Sequence, residues 1–274
     1  MKYMTFNSSC SYAGIANMLE QYGVDTSDTA IALAMKLPYI FSLCNGVYLS
    51  GPMLQTSEWF DLYLNPIGYR MVEKSVSIDI IADYLKTHKT AMLGINIEGK
   101  AKHAVVYTKT EANTFVFVNN KWEADKAPEE IRLTIDELKQ QVGSEVVVAT
   151  IQQISPKNVN FIDKLKLSIN VLQANLEDII KLCDTQKSVA SLRQKLNVIF
   201  RPLFLDGITM LELIGETELA RDFESLQKEL LCALGQEPEQ NVLLKEYISI
   251  PKLQVSVQKY IKLIISEINT LQDK

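Results

Sequence analysis

A chain of 274 residues, 47% hydrophobic and 22% charged, has the mass for two domains with packed cores and excludes gross disorder. Its net charge of −5 leaves no electrostatic footprint for nucleic acid or an anionic membrane. The opening residues lack the apolar core of a signal peptide, and the best spanning candidate, Val198 to Leu205, is broken by Arg201 and Pro202.

The first predicted element begins at Cys10, where the polar stretch Asn7-Ser8-Ser9 turns into an apolar-periodic helix carrying Ile15, Met18, Leu19 and Tyr22. Ser8 or Ser9 is expected to cap its start and Gly23 its end. Cys10 then sits in or just before the first helical turn, where unpaired N–H groups and the helix dipole favour a thiolate, the form that acts as a nucleophile. A second, short helix starts near Thr26-Ser27-Asp28, and Pro38 to Pro66 reads as a loop-rich stretch with Cys44-Asn45-Gly46 in it.

Gly68 to Val72 is expected as a strand, Ile78 to Thr87 as a helix, and Thr90 to Ile97 as a strand buried on both faces. His103 to Thr108 and Thr114 to Val118 flank Glu111-Ala112-Asn113 as a hairpin. Thr134-Ile135-Asp136-Glu137 is a capping box that opens a helix, and Ser144 to Ile151 is a closing strand. The polar, proline-bearing Ser155-Pro156-Lys157-Asn158 marks a boundary, giving domains 1–154 and 155–274. The first is α+β with a mainly antiparallel sheet, and the second is an all-α bundle. Val257, Tyr260, Ile261, Ile264, Ile265, Ile268 and Leu271 form a core stripe on the last helix.

The four cysteines, Cys10, Cys44, Cys183 and Cys232, are far apart and form no Cys-x-x-Cys pair, so neither a metal site nor a disulfide framework is expected. Free thiols and the lack of targeting segments point to the cytoplasm. Cys183 and Cys232 fall on helical apolar faces and read as core. Histidine is limited to His88, a cation at a helix C-terminus, and His103. His103 opens one hairpin strand, and Asn119 and Asn120 close the other sixteen and seventeen residues later. One asparagine should therefore neighbour His103 and orient its ring, Asn119 lying on the face of Phe115 and Phe117 and Asn120 on the opposite one. The choice between them depends on register. Cys44, Gly46 and Tyr48 are candidates for lining the substrate pocket. Trp59 and Trp122 read as packing residues, and Glu98-Gly99-Lys100 as a loop at the cleft mouth.

The order of a Cys-headed helix, a His-Ala-Val-Val-Tyr strand and a Val-Phe-Val-Asn strand end resembles the papain-like cysteine fold, and within it the double-glycine leader peptidases. Over most of the chain the sequence is more similar to the family of butirosin biosynthesis protein H. That family opens with a Cys-headed helix ending in Tyr-Gly, matched by Cys10 to Tyr22-Gly23, followed by a glycine/aromatic loop, matched by Phe41 to Tyr48. Phe200-Arg201-Pro202-Leu203-Phe204 resembles a degraded form of its C-terminal signature.

The resemblance implies an acyltransferase of antibiotic-type biosynthesis, without a cofactor. Cys10 would carry an acyl group from a carrier-protein thioester to a small-molecule amine, with His103 as base and Asn119 (or Asn120) as orienter. A peptidase or amidase acting on a peptide, or a catalytically silent binding module, are the alternatives. Two positions depart from the pattern. Met4 stands where the peptidases have an oxyanion-binding glutamine, leaving Asn7 as a stand-in beside the Cys10 N–H. An asparagine replaces the usual aspartate.

Overall fold

In the computed structural model the described residues are 1–96, 102–120 and 130–273. Two compact units emerge, one of Met1–Met35 and Gln55–Val159, the other of Lys36–Leu54 and Asn160–Lys274. This differs from a single cut after residue 154. The segment 36–54 belongs with the second unit, and the later boundary falls at 159/160. Trp122 and the Glu98-Gly99-Lys100 loop lie outside the described residues.

The chain begins with α1 (Cys10–Glu20) and α2 (Asp28–Ala34), then enters the second unit as a hairpin of β1 (Phe41–Cys44) and β2 (Val47–Ser50). Asn45 and Gly46, with φ of 51° and 77°, form its turn. Asn-Gly between two short strands is the usual sequence for such a turn because both central residues need positive φ. The stretch expected as loops thus holds a hairpin and also α3 (Ser57–Leu64). The first unit continues through β3 (Tyr69–Ser77), α4 (Ile81–Lys86), β4 (Ala91–Asn96), β5 (Lys102–Glu111), β6 (Thr114–Asn119), β7 (Glu130–Thr134), α5 (Ile135–Val142) and β8 (Glu145–Gln153). The Thr134 capping box forms as expected, with the Glu137 side chain accepting from the Thr134 N–H at 2.7 Å.

The six strands make one antiparallel sheet in the order β3-β8-β4-β5-β6-β7. The fold class is α+β. On one face Leu93, Ile95, Val105, Phe117 and Val148 pack with Leu85 of α4 and Leu138 of α5. On the other lies α1, nine of whose eleven residues are buried. A Cβ on Gly14 would come within 2.5 Å of the Met92 sulfur and 3.2 Å of Asn120 Nδ2, which shows how closely α1 packs on the sheet here.

In the second unit, α6 (Phe161–Cys183), β9 (Lys187–Ser188) and α7 (Val189–Gln194) precede two successive π-helical segments, Leu196–Phe200 and Pro202–Gly207. α8 (Ile208–Leu213), α9 (Thr217–Leu234), β10 (Asn241–Val242) and α10 (Ile250–Gln272) complete it. The unit is mainly helical rather than all-α, because β1–β2 and β9–β10 form two-stranded ladders within it. Tyr260, wholly buried on α10, donates its hydroxyl to the Pro38 carbonyl at 2.8 Å and meets the Phe41 ring edge-on at 5.2 Å. These contacts tie the 36–54 segment into the helical core. Cys183 is buried, which pushes its thiol up to about 11. Cys232 is exposed, contrary to the core role expected of it, because its neighbour Ala233 takes the inward position on α9.

Asp206, 2% exposed, is paired with Arg201 at 2.9 Å, yet burial outweighs that pairing and pushes its carboxyl up to about 6. A carboxyl raised by folding favours the fold in its protonated form. Its contribution is present below the ordinary Asp range and lost as pH rises through about 6, a difference of about 3 kcal/mol. Asp206→Asn, which cannot ionise, should therefore melt with the parent near pH 4 and several degrees above it at pH 7.5. Calorimetric scans across that range check this, and a constant or inverted difference would contradict it.

Candidate active site

β4 ends, β5 begins and β6 ends at the same end of the sheet, and the N-terminus of α1 reaches that end: the Cys10 carbonyl accepts from Asn120 Nδ2 at 3.4 Å. There Cys10 and His103 line one cavity of about 240 Å³, together with Ser11, Gln55, Phe60 and Met92. Cys10 is partly exposed at the first position of α1, and His103 is the second residue of β5. The two residues that the sequence singled out as nucleophile and base are thus both among those lining this cavity. Alternation along β5 puts the His103 side chain on the sheet face of Val105, opposite the face that carries α1.

Ser9 is the N-cap residue of α1, but its hydroxyl does not cap the helix. It donates instead to Asp28 Oδ2 at 2.7 Å and to the Phe6 carbonyl at 2.8 Å. Asp28 also accepts from the Thr5 N–H at 2.7 Å and the Thr5 hydroxyl at 2.7 Å. The buried carboxylate anchors the strand of chain that leads into Cys10, so the start of the helix is held from outside rather than by its own cap.

The asparagine pair is resolved by register. Val105 stands opposite Asn119, so Asn119 lies diagonal to His103 and on its face of the sheet. A β-bulge between Tyr107 and Lys109 produces this. Counting back from the turn pair Glu111–Thr114 without it would place Asn120 opposite Val105. Asn120 has a different task. Fully buried, it donates from Nδ2 to the Ala104 carbonyl at 3.2 Å as well as to Cys10, and its Oδ1 accepts from Asn17 Nδ2 at 2.6 Å. It pins α1 to β5. Asn119 is also buried, at 5% exposure, and is not among the residues lining the cavity.

Several expected site residues lie elsewhere. Asn7 is exposed, with its Oδ1 accepting from the Ser8 hydroxyl, and it does not line the cavity. Cys44, Gly46 and Tyr48 belong to the β1–β2 hairpin of the second unit and do not line this cavity either. Tyr48 packs inward there, its hydroxyl donating to Asp178 Oδ2 at 2.9 Å; burial and that carboxylate push it up to about 12. His88 stacks on Tyr84 with ring centroids 4.4 Å apart.

Sequence reading missed Gln55. From the residues just before α3 its Oε1 accepts from the Ser11 hydroxyl at 3.2 Å and its Nε2 donates to the Ser8 carbonyl at 3.2 Å. These two bonds fix which way the amide faces beside Cys10. No local signal marks this position, because Gln55 reaches the cavity through the fold, 45 residues beyond Cys10. A thiol at a helix N-terminus, an imidazole and an oriented carboxamide around one cavity are the components of nucleophilic acyl chemistry.

Among the described residues no cluster of three or more His, Cys, Asp or Glu side chains could hold a metal ion, and no helix is long and apolar enough to cross a membrane. Neither a protein-family model nor a curated protein matches this sequence. Among solved structures the chain is similar to a periplasmic domain of the EpsAB fusion protein of the Vibrio vulnificus type II secretion system. The TM-score is 0.30 at 9% identity, over 53% of this chain and 47% of that one. The chain spans about half the length of that structure, and a likeness so slight carries no argument.

Proposed function

We propose that this chain is a papain-like cysteine acyltransferase with a helical second domain, acting through an acyl-Cys10 intermediate. The observation that carries the reading is the shared cavity of Cys10, at the head of α1, and His103, at the start of β5. A helix headed by Cys10 and laid on an antiparallel sheet supports the papain-like assignment.

In the proposed reaction His103 takes the Cys10 proton and the thiolate attacks a thioester carbonyl on a carrier protein. The Cys10 N–H and the Gln55 amide donate to the oxyanion. The carbon–sulfur bond to the carrier breaks, and the carrier thiol leaves with the proton held by His103. A small-molecule amine then attacks acyl-Cys10, His103 accepts the amine proton, and Cys10 departs as the amide forms. Exchange between two thioesters is nearly isoenergetic and the amide is more stable, so the sequence runs downhill. Asn119 orients the His103 ring.

Incubation with an acyl-phosphopantetheine carrier should add the acyl mass to the parent protein at Cys10 and to none of the other thiols, with Cys10→Ser left unmodified. Intact-mass and peptide mass spectrometry read both. Discharge of the adduct to an added amine supports transfer, and discharge to water alone converts the reading to a hydrolase. No adduct with carrier thioesters or with activated peptide esters would leave a silent binding module and refute the proposal.

A further inference from the structure

The second unit holds a separate cavity of about 180 Å³ between its π-helical run and α9, walled by Leu196, Phe200, Phe204, Leu230 and Leu231 with Arg201 beside them. π-helical turns are rare, occur mostly singly, and concentrate at functional sites. Here two follow each other, and the surrounding unit holds them in place. Asn175 Nδ2 donates to the Ile199 carbonyl at 2.8 Å, the Ser50 hydroxyl to the Pro202 carbonyl at 3.0 Å, and Gln227 Nε2 to the Phe204 carbonyl. A Cβ on Gly207 would come within 2.7 Å of the Pro202 carbonyl oxygen, so the second π segment requires glycine at that position. Side chains from three other elements therefore satisfy carbonyls of a run that departs from α-helical spacing, and the wider turns open the cavity against α9.

The chemistry of the walls selects the occupant. The guanidinium of Arg201 is already matched by Asp206, with Nε donating to Oδ2 at 2.9 Å and Nη2 to Oδ1 at 3.3 Å. The cavity offers mainly apolar surface, the uncharged amides of Asn197 and Gln227 and a neutralised ion pair, which suits an uncharged ligand. An apolar cavity of about 150 Å³ takes up benzene, so this volume has room for about six carbons. We propose that this cavity binds an uncharged apolar chain of about six carbons, such as the tail of an acyl ester, amide or thioester. The site stands on its own residues and does not depend on the chemistry of Cys10.

The test uses the full chain and 6-fluoro-1-hexanol, an uncharged six-carbon probe followed by fluorine NMR. Saturable line broadening is expected, reversed by 1-octanol. Octanoate at pH 7.5 should compete at least about tenfold more weakly, because its carboxylate finds no unmatched cation. Leu231→Lys, at an exposed rim position, should weaken probe binding about tenfold. Leu205→Lys, on the same cavity, is the second variant should the first fold poorly by circular dichroism. Absence of saturable binding, or probe affinity unchanged in both variants, would overturn the site. Octanoate competing as well as octanol would overturn the assignment to an uncharged ligand.

Discussion

His103→Ala should slow acylation of Cys10 by a carrier thioester about 10²- to 10⁴-fold, the usual worth of a positioned general base. It should also slow alkylation of Cys10 by iodoacetamide at neutral pH, since both reactions need the proton removed. Gln55→Ala is expected to behave differently. Alkylation displaces iodide at a saturated carbon and builds no oxyanion, so its rate should stay near that of the parent. Acylation passes through a tetrahedral oxyanion and should fall about 10²- to 10³-fold, the cost of one lost donor. Stopped-flow acylation and peptide-resolved alkylation measure the two rates on the same preparations. If Gln55→Ala slows both reactions equally, its bonds to Ser8 and Ser11 position the chain and the amide has no part in the chemistry.

Asn120→Ala should cost about 2 to 4 kcal/mol of stability, because a fully buried amide with three partners is removed and the Asn17 donor is left without its acceptor. Denaturant unfolding gives the value. The comparison that matters is with Asn119→Ala, whose loss should appear mainly in the acylation rate. An Asn120→Ala protein as stable as the parent would contradict the role given to Asn120 in pinning α1 to β5.

What the sequence made legible was local. A continuous apolar run marked β4, β-rich runs on either side of Glu111-Ala112-Asn113 marked β5 and β6, and another such run marked β8. The Thr134-x-x-Glu137 pair marked α5, and the polar run before Ile15 put Cys10 at a helix start. Each of those signals lies within a few residues of the structure it dictates. The asparagine assignment failed to resolve because a single bulge between Tyr107 and Lys109 inverts the parity of the ladder, and a bulge there has no signature in the residue pattern. Gln55 escaped notice for a related reason, since its relation to Ser8 and Ser11 exists only after the chain has folded. The β1–β2 hairpin carried its Asn45-Gly46 turn in plain view, but the prolines around it dominated the reading. At Leu196 to Gly207 the backbone follows a wider turn than the helical period by which the sequence was read.

The excursion of residues 36–54 sets a clock on the ribosome. Phe41 forms its backbone bonds with Ser168, 127 residues later, and Pro38 receives the Tyr260 hydroxyl from 222 residues away. At about 5 to 20 residues per second, that second partner arrives roughly 10 to 45 seconds after Pro38 is made. Throughout the interval Leu37, Ile40 and Phe41 are synthesised but lack the core that buries them. The nascent chain therefore presents a short apolar hairpin between two stretches of the first unit, a natural target for a chaperone that holds unfolded segments. Emergence of α10 is then the event that gives this hairpin its partner.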